Sequence, residues 1–142
     1  MNYLSLALAA LGGTVASFAF GSLVLWLVPG LIKEAHKYPA VFRPKGEMTK
    51  VMPIGLLATL LSILAAAVIF AMMRHGRSGA AAGAHFGVLI GIFVVCAFVL
   101  HNFVNLNIGL KLALGQAVTY FLQCSIIIGI VIGLIYKPLA LR

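Results

Sequence analysis

Four long stretches without a charged side chain dominate the sequence and constrain what it can fold into. They cover residues 1–32, 51–73, 78–110 and 112–136. Each exceeds the ~20 residues that an α-helix needs to cross the hydrocarbon core of a bilayer. In hydrocarbon the backbone must satisfy its own hydrogen bonds, which an α-helix does within one segment. The pattern therefore predicts an all-α polytopic membrane protein, a four-helix transmembrane bundle.

The composition agrees with this prediction. Of the 142 residues, 63% are hydrophobic and only 8% are charged, whereas soluble domains contain about 25% charged residues. We predict a single transmembrane domain over residues 1–142, made of two helical hairpins. The helices are placed at about 4–28, 52–73, 83–103 and 113–136, and a basic loop at 29–50.

The formal net charge of +8 arises at the ends of the predicted helices. Lys33, Lys37, Arg43, Lys45 and Lys50 all lie in the basic loop. Cations at such positions hold helix ends among lipid headgroups, and a polybasic segment attracts anionic lipid. We expect anionic lipids, and not nucleic acid, to be partners of this loop. The charge distribution favours a cytoplasmic loop with both termini outside.

Glycine recurs at every fourth position at the start of the third stretch, at Gly79, Gly83, Gly87 and Gly91. Residues at this spacing lie close to one helix face, and their lack of bulk lets a neighbouring helix approach closely. The other helices carry similar rows, which are Ala9, Gly13, Ser17 and Gly21, then Ala58, Ser62 and Ala66, and finally Ser125, Gly129 and Gly133. We expect these rows to be helix-packing faces, although Gly and Ala are also generally common in membrane helices.

Polar side chains concentrate where the third and fourth helices are joined. The third helix contributes His101, Asn102 and Asn105, and the fourth contributes Gln116, Thr119, Tyr120 and Gln123 along one helical face. An antiparallel hairpin places the two groups at similar depths. They either hydrogen-bond across the hairpin or line a shallow pocket that opens toward the basic loop. Such a pocket would suit a quinone, a lipid headgroup or a small uncharged solute.

Residues that could support catalysis are sparse. Both acidic residues, Glu34 and Glu47, lie in the basic loop, and the sequence contains no Asp. No catalytic triad, metal-ligand spacing or phosphate-binding loop is present. We therefore expect no enzymatic activity, no metal and no cofactor. A haem or chlorophyll-type pigment would have to use His101, with a second copy of the chain supplying the other ligand.

Several short segments follow one another along the chain in a recognisable order. Trp26 precedes the basic loop, the glycine-rich residues 86–91 lead to the asparagines at 102–105, and residues 133–138 close the sequence of motifs. In this respect the chain resembles small uncharacterised bacterial four-helix integral membrane proteins. The resemblance implies a fold and supplies no activity.

Two functional hypotheses follow from the sequence. The first is a small accessory or structural subunit of a homo-oligomer or larger membrane complex, packed through its rows of small residues. The alternative is a small transporter or a lipid- or quinone-binding membrane protein that uses the polar cluster on the third and fourth helices.

Overall fold

The computed structural model describes residues 2–73 and 79–137, and within these ranges it contains helices and no strand. The helices are α1 (Tyr3–Leu27), α2 (Pro29–Ala35), α3 (Lys45–Met73), α4 (Ala80–Asn105) and α5 (Leu110–Ile135). All but α2 are long and apolar enough to cross a membrane. The predicted all-α fold with four membrane-spanning helices is therefore confirmed.

The predicted start of the second spanning helix near residue 52 is wrong, because α3 already begins at Lys45. Hydropathy detects the part of a helix that lies in hydrocarbon, whereas the hydrogen-bonded backbone continues through the polar residues that precede it. Pro53 consequently lies inside α3 and not in its first turn. Because proline has no N–H, the carbonyl of Thr49 loses its partner in the helical ladder.

The backbones of α4 and α5 touch along the predicted glycine row. A Cβ atom on Gly83 would overlap the carbonyl oxygen of Gly129, and one on Gly87 would lie 2.5 Å from the carbonyl oxygen of Cys124. At Gly91 the equivalent atom would lie 3.2 Å from Oγ of Ser125. These three glycines therefore lie in the contact between the two helices, with α5 as the neighbour.

The small residues of α5 fit into the same contact from the other side. A Cβ on Gly129 would lie 2.8 Å from Cα of Gly87, and one on Gly133 would lie 2.8 Å from Cα of Gly83. Gly79 plays a different part, because no atom lies within 4 Å of its Cβ position. Its φ of 99° requires glycine, and its N–H donates to the carbonyl of Gly133 at 3.0 Å. Gly79 therefore joins the start of α4 to the end of α5 through a backbone hydrogen bond, and its missing side chain does not make room for another helix.

The row of small residues on α1 packs against neighbouring helices only at its first three positions. Ala9, Gly13 and Ser17 are buried, and a Cβ on Gly13 would lie 2.8 Å from Cγ2 of Ile63. The packing role predicted for Gly21 is wrong, because a Cβ there would meet no atom within 4 Å. The helices that cover the first half of α1 do not reach Gly21.

The row predicted on α3 is also only partly used. Ala66 is buried, whereas Ala58 and Ser62 are exposed. The buried face of α3 consists instead of Ile63, Ala66, Ala67 and Phe70. These residues belong to the main core cluster with residues of α1, α4 and α5, and the ring of Phe70 packs on that of Phe86 with 5.4 Å between centroids. The bundle is therefore closed at the end of α3 and more open at its start, next to the basic loop.

The predicted basic loop is partly helical and is docked onto α5. Leu31, in α2, lies 2.5 Å from the Cβ position of Gly115. The backbone N–H of Gly109 donates to the hydroxyl of Tyr38 at 2.9 Å. A second, smaller core cluster forms at this contact, comprising Ile108, Leu112 and Ala113 with Leu31, Ala35, Tyr38 and Phe42 against them.

Replacement of Gly87 by alanine tests the contact between α4 and α5. The added methyl group meets the carbonyl oxygens of Cys124 and Ser125, so the helices must separate, at a cost of about 1–3 kcal/mol typical of overpacking. We expect a lower midpoint of thermal unfolding, measured by circular dichroism in mild detergent.

Gly55→Ala is the matched control, because nothing lies within 4 Å of its Cβ position. Alanine stabilises an open helical position by about 1 kcal/mol relative to glycine. Equal stabilisation by both substitutions would contradict the close contact.

Candidate functional site

An open cavity of about 450 Å³ lies between α1, α2, the loop that follows α2, and α5. We call it the outer cavity. Its volume is within the range of small-molecule sites, roughly 300–1,000 Å³. The apolar part of its lining comprises Gly21, Val24, Leu25, Leu31, Ile32, Ala35, Phe42, Met48 and Leu112. The polar part comprises His36, Arg43, Gln116, Thr119, Tyr120 and Gln123.

The four polar residues predicted on the fourth helix all line this cavity. They follow one another along a single face of α5, so the helix presents them together. Thr119 donates its hydroxyl to the carbonyl of Gly115 at 2.8 Å and keeps its lone pairs for another donor. The amides of Gln116 and Gln123 are half-buried, and across residues 2–73 and 79–137 they form no hydrogen bond with the protein.

The three polar residues predicted on the third helix do not belong to the site. His101 and Asn105 are exposed, Asn102 is half-buried, and none of the three lines the outer cavity. The amide of Asn105 donates to the carbonyl of His101 in its own helix at 2.8 Å. Within the described ranges no hydrogen bond joins this group to the polar face of α5. The predicted hydrogen bonding across the hairpin is therefore wrong.

A change from α-helix to π-helix within α4 explains why His101, Asn102 and Asn105 do not face the polar residues of α5. Residues Val95–Leu100 form π-helix between two α-helical segments. A π turn contains an extra residue, so it rotates everything beyond it by about 100° relative to a continuous α-helix. His101 follows immediately and is turned away from the face that regular α-helical spacing assigns to it.

Two residues of the site, His36 and Arg43, were not expected from the sequence analysis, which treated the loop cations as lipid anchors. They are held near α5 because the neighbouring Tyr38 and Phe42 belong to the cluster at the start of that helix. The apolar spacing of Leu31, Ala35, Tyr38 and Phe42 is that of one helical face, and this pattern could have predicted the docking.

The charged residues around the outer cavity favour a negatively charged ligand group. Glu34 is buried and pairs with the amine of Lys37 at 2.8 Å. The hydrogen bond to the Glu34 carboxylate and its charge raise the pKa of Lys37 above its ordinary value. Because this acid is already neutralised by Lys37, and no acidic side chain lines the cavity in the described part of the chain, Arg43 provides an uncompensated positive charge.

A second open space, of about 270 Å³, adjoins the first, and we call it the inner cavity because it lies farther from the loop along α1. Gly21, Leu25 and Gln123 line both cavities. The remaining lining residues of the inner cavity are Ser17, Phe18, Ser22 and Thr59. Ser17 is buried, and its Oγ has no hydrogen-bond partner among the residues described. The inner cavity is therefore richer in hydroxyl groups than the outer one.

The other candidate ligands lie apart from these cavities. Cys96 is exposed and Cys124 is buried, and both are free thiols. Over residues 2–73 and 79–137, no three His, Cys, Asp or Glu side chains come together in a group that could hold a metal ion. His101, the residue that a pigment would need, lies outside both cavities.

The outer and inner cavities thus combine apolar walls with polar side chains, and their residues point to binding. The chain shows no significant match to a protein family, to a curated protein or to a solved structure.

Proposed function

We propose that the chain is a non-enzymatic membrane protein that binds a single-chain acidic amphiphile, of the fatty-acid type, in the outer cavity. The observation that carries this proposal is an apolar cavity with unpaired amides on its α5 wall and a positive charge from the loop. The acid lies against Arg43 and His36, and the aliphatic chain lies along α1 and α5.

The unpaired amides support a bound molecule in the cavity. An unsatisfied polar group in the membrane interior costs several kcal/mol. Gln116 and Gln123 are separated by about 10 Å along α5, at 1.5 Å per residue. A ligand that enters between α1 and α5, or water that accompanies it, gives both amides a hydrogen-bond partner.

The acidic head group follows from the side chains at the loop end. A guanidinium binds a carboxylate through two parallel hydrogen bonds, which makes Arg43 well suited to an acid. The apolar walls, which include Val24, Leu25 and Leu112, match an aliphatic chain. A cavity of this volume takes one such chain, so a free acid fits it better than a lipid with two chains.

Binding of radiolabelled stearate to the purified protein in nanodiscs tests the proposal. We expect saturable binding that weakens about tenfold in Arg43→Gln, because a hydrogen bond to a charged group contributes about 1.5–3 kcal/mol and each 1.4 kcal/mol is a factor of ten.

Lys33→Gln is the matched control, because it removes an exposed loop cation that does not line the cavity. An equal loss in both variants would show general attraction to the basic loop. The absence of saturable binding to the wild-type protein would also contradict the proposal.

We propose that the protein resides in a bacterial inner membrane with the loop between α1 and α3 on the cytoplasmic side. The exposed cations Lys33 and Lys50 support contact with anionic lipid headgroups. These lipids surround the loop, whereas the acidic amphiphile occupies the cavity.

A second candidate function, an accessory subunit of a homo-oligomer or larger membrane complex, is supported by a different surface. On α3 the small residues Gly55, Ala58, Ser62 and Ala65 are all exposed, and their spacing places them along one side of the helix. The glycines Gly83, Gly87, Gly129 and Gly133 are already packed within the chain, whereas this row on α3 is uncovered and could receive a helix of a neighbouring subunit.

Blue-native electrophoresis after mild solubilisation tests the second candidate. We expect an oligomer or larger complex, and its dissociation in Ala58→Leu, because the larger side chain prevents close approach of another helix. Ala19→Leu makes the same change at an exposed position on α1 and should leave assembly intact. Recovery of the wild-type chain only as a monomer would refute the subunit role.

A further inference from the structure

We propose that the outer and inner cavities form one continuous site, whose ligand carries an uncharged polar group, a hydroxyl or a carbonyl, near the middle of its chain. This inference rests on the proposed binding of an acidic amphiphile and specifies the class of amphiphile. An acid with an unsubstituted chain fills the outer cavity, whereas the substituted acid also satisfies the inner one.

The continuity of the two cavities follows from the residues that they share. Gly21 and Leu25 on α1 and Gln123 on α5 line both. No protein atom lies within 4 Å of the Cβ position of Gly21. The absence of a side chain at Gly21 therefore leaves space open along α1 where the cavities adjoin.

The inner cavity is poorly suited to an unsubstituted alkyl chain. Thr59 donates its hydroxyl to the carbonyl of Gly55 at 2.9 Å, which leaves its oxygen able to accept a hydrogen bond. The amide of Gln123 can both donate and accept, and Oγ of Ser17 has no partner in the part of the chain that is described. A hydroxyl on the ligand can donate to Thr59 or Gln123 and accept from the Gln123 amide.

The depth of the inner cavity sets the position of the polar group along the ligand. Ser17 precedes the end of α1 at Leu27 by about 15 Å, at 1.5 Å per residue. The acid group is held at Arg43 in the outer cavity, and the chain must pass Gly21 and Gln123 before it reaches Ser17 and Thr59. The polar group of the ligand therefore lies along its chain, well away from the acid, and we place it near mid-chain.

The experiment compares stearate with stearate hydroxylated at mid-chain, using the full-length protein in nanodiscs. We expect the wild-type protein to bind the hydroxylated acid up to about tenfold more tightly, the effect of one additional hydrogen bond at the upper end of the usual range. Thr59→Val keeps the shape of the side chain and removes its hydroxyl, so we expect the preference to fall toward unity.

Thr49→Val is the matched control, because Thr49 also donates to a carbonyl of α3, that of Gly46, but lines neither cavity. It should retain the full preference for the hydroxylated acid. Gly21→Leu adds a side chain whose Cβ has no protein atom within 4 Å and which extends into the space between the cavities, so it should weaken binding of the hydroxylated acid more than that of stearate. Gly46→Leu controls for the added bulk, because Gly46 also has nothing within 4 Å of its Cβ position and lines neither cavity.

The outcomes separate the two proposals. Saturable binding of stearate with no preference for the hydroxylated acid overturns this inference and leaves the proposed function standing. A preference that survives both Thr59→Val and Gly21→Leu also overturns it, because the hydroxyl is then recognised outside the inner cavity. If neither acid binds saturably to the wild-type protein, the proposed function itself fails.

Discussion

The close backbone contact between α4 and α5 is the constraint on which the site depends. Lipid tails are as apolar as leucine, so helices in a membrane associate through close packing and not through the removal of apolar surface from water. Gly83, Gly87 and Gly129 bring the two backbones together to distances that a side chain would prevent. This contact fixes the rotation of α5 about its own axis, and the polar face from Gln116 to Gln123 is thereby turned toward α1.

The cavities exist because the bundle is packed unevenly along its length. Leu6, Ile63 and Phe70 are buried at the end remote from the loop, whereas the first half of α3 remains exposed. Near the loop, α2 and the hydrogen bond from Gly109 to Tyr38 hold the chain against α5. Contacts therefore hold the helices together at both ends of the bundle. Side chains do not fill the space between these two sets of contacts.

The features of this fold that can be predicted from the sequence are those that depend only on the spacing of residues along one helix. Gly83, Gly87 and Gly91 share a face in any regular helix, and the spans follow from the ~20-residue requirement of the bilayer. His101 was misplaced because the π turn before it changes the rotation of the helix, and such a turn has no clear signal in a single sequence. His36 and Arg43 were missed because their position depends on contacts with a distant helix.

Gly21 and Gly83 show why spacing alone cannot separate packing from binding. Both belong to rows of small residues at four-residue intervals, yet Gly83 lies against the backbone of Gly129 and Gly21 faces open space between two cavities. A glycine with no helix packed against it forms no van der Waals contacts that compensate for its missing side chain. The nearby amide of Gln123 adds a polar group that the protein itself does not satisfy. Both features are unfavourable in an empty bundle, and the proposed amphiphile with a matching polar group would fill the space and satisfy the amide.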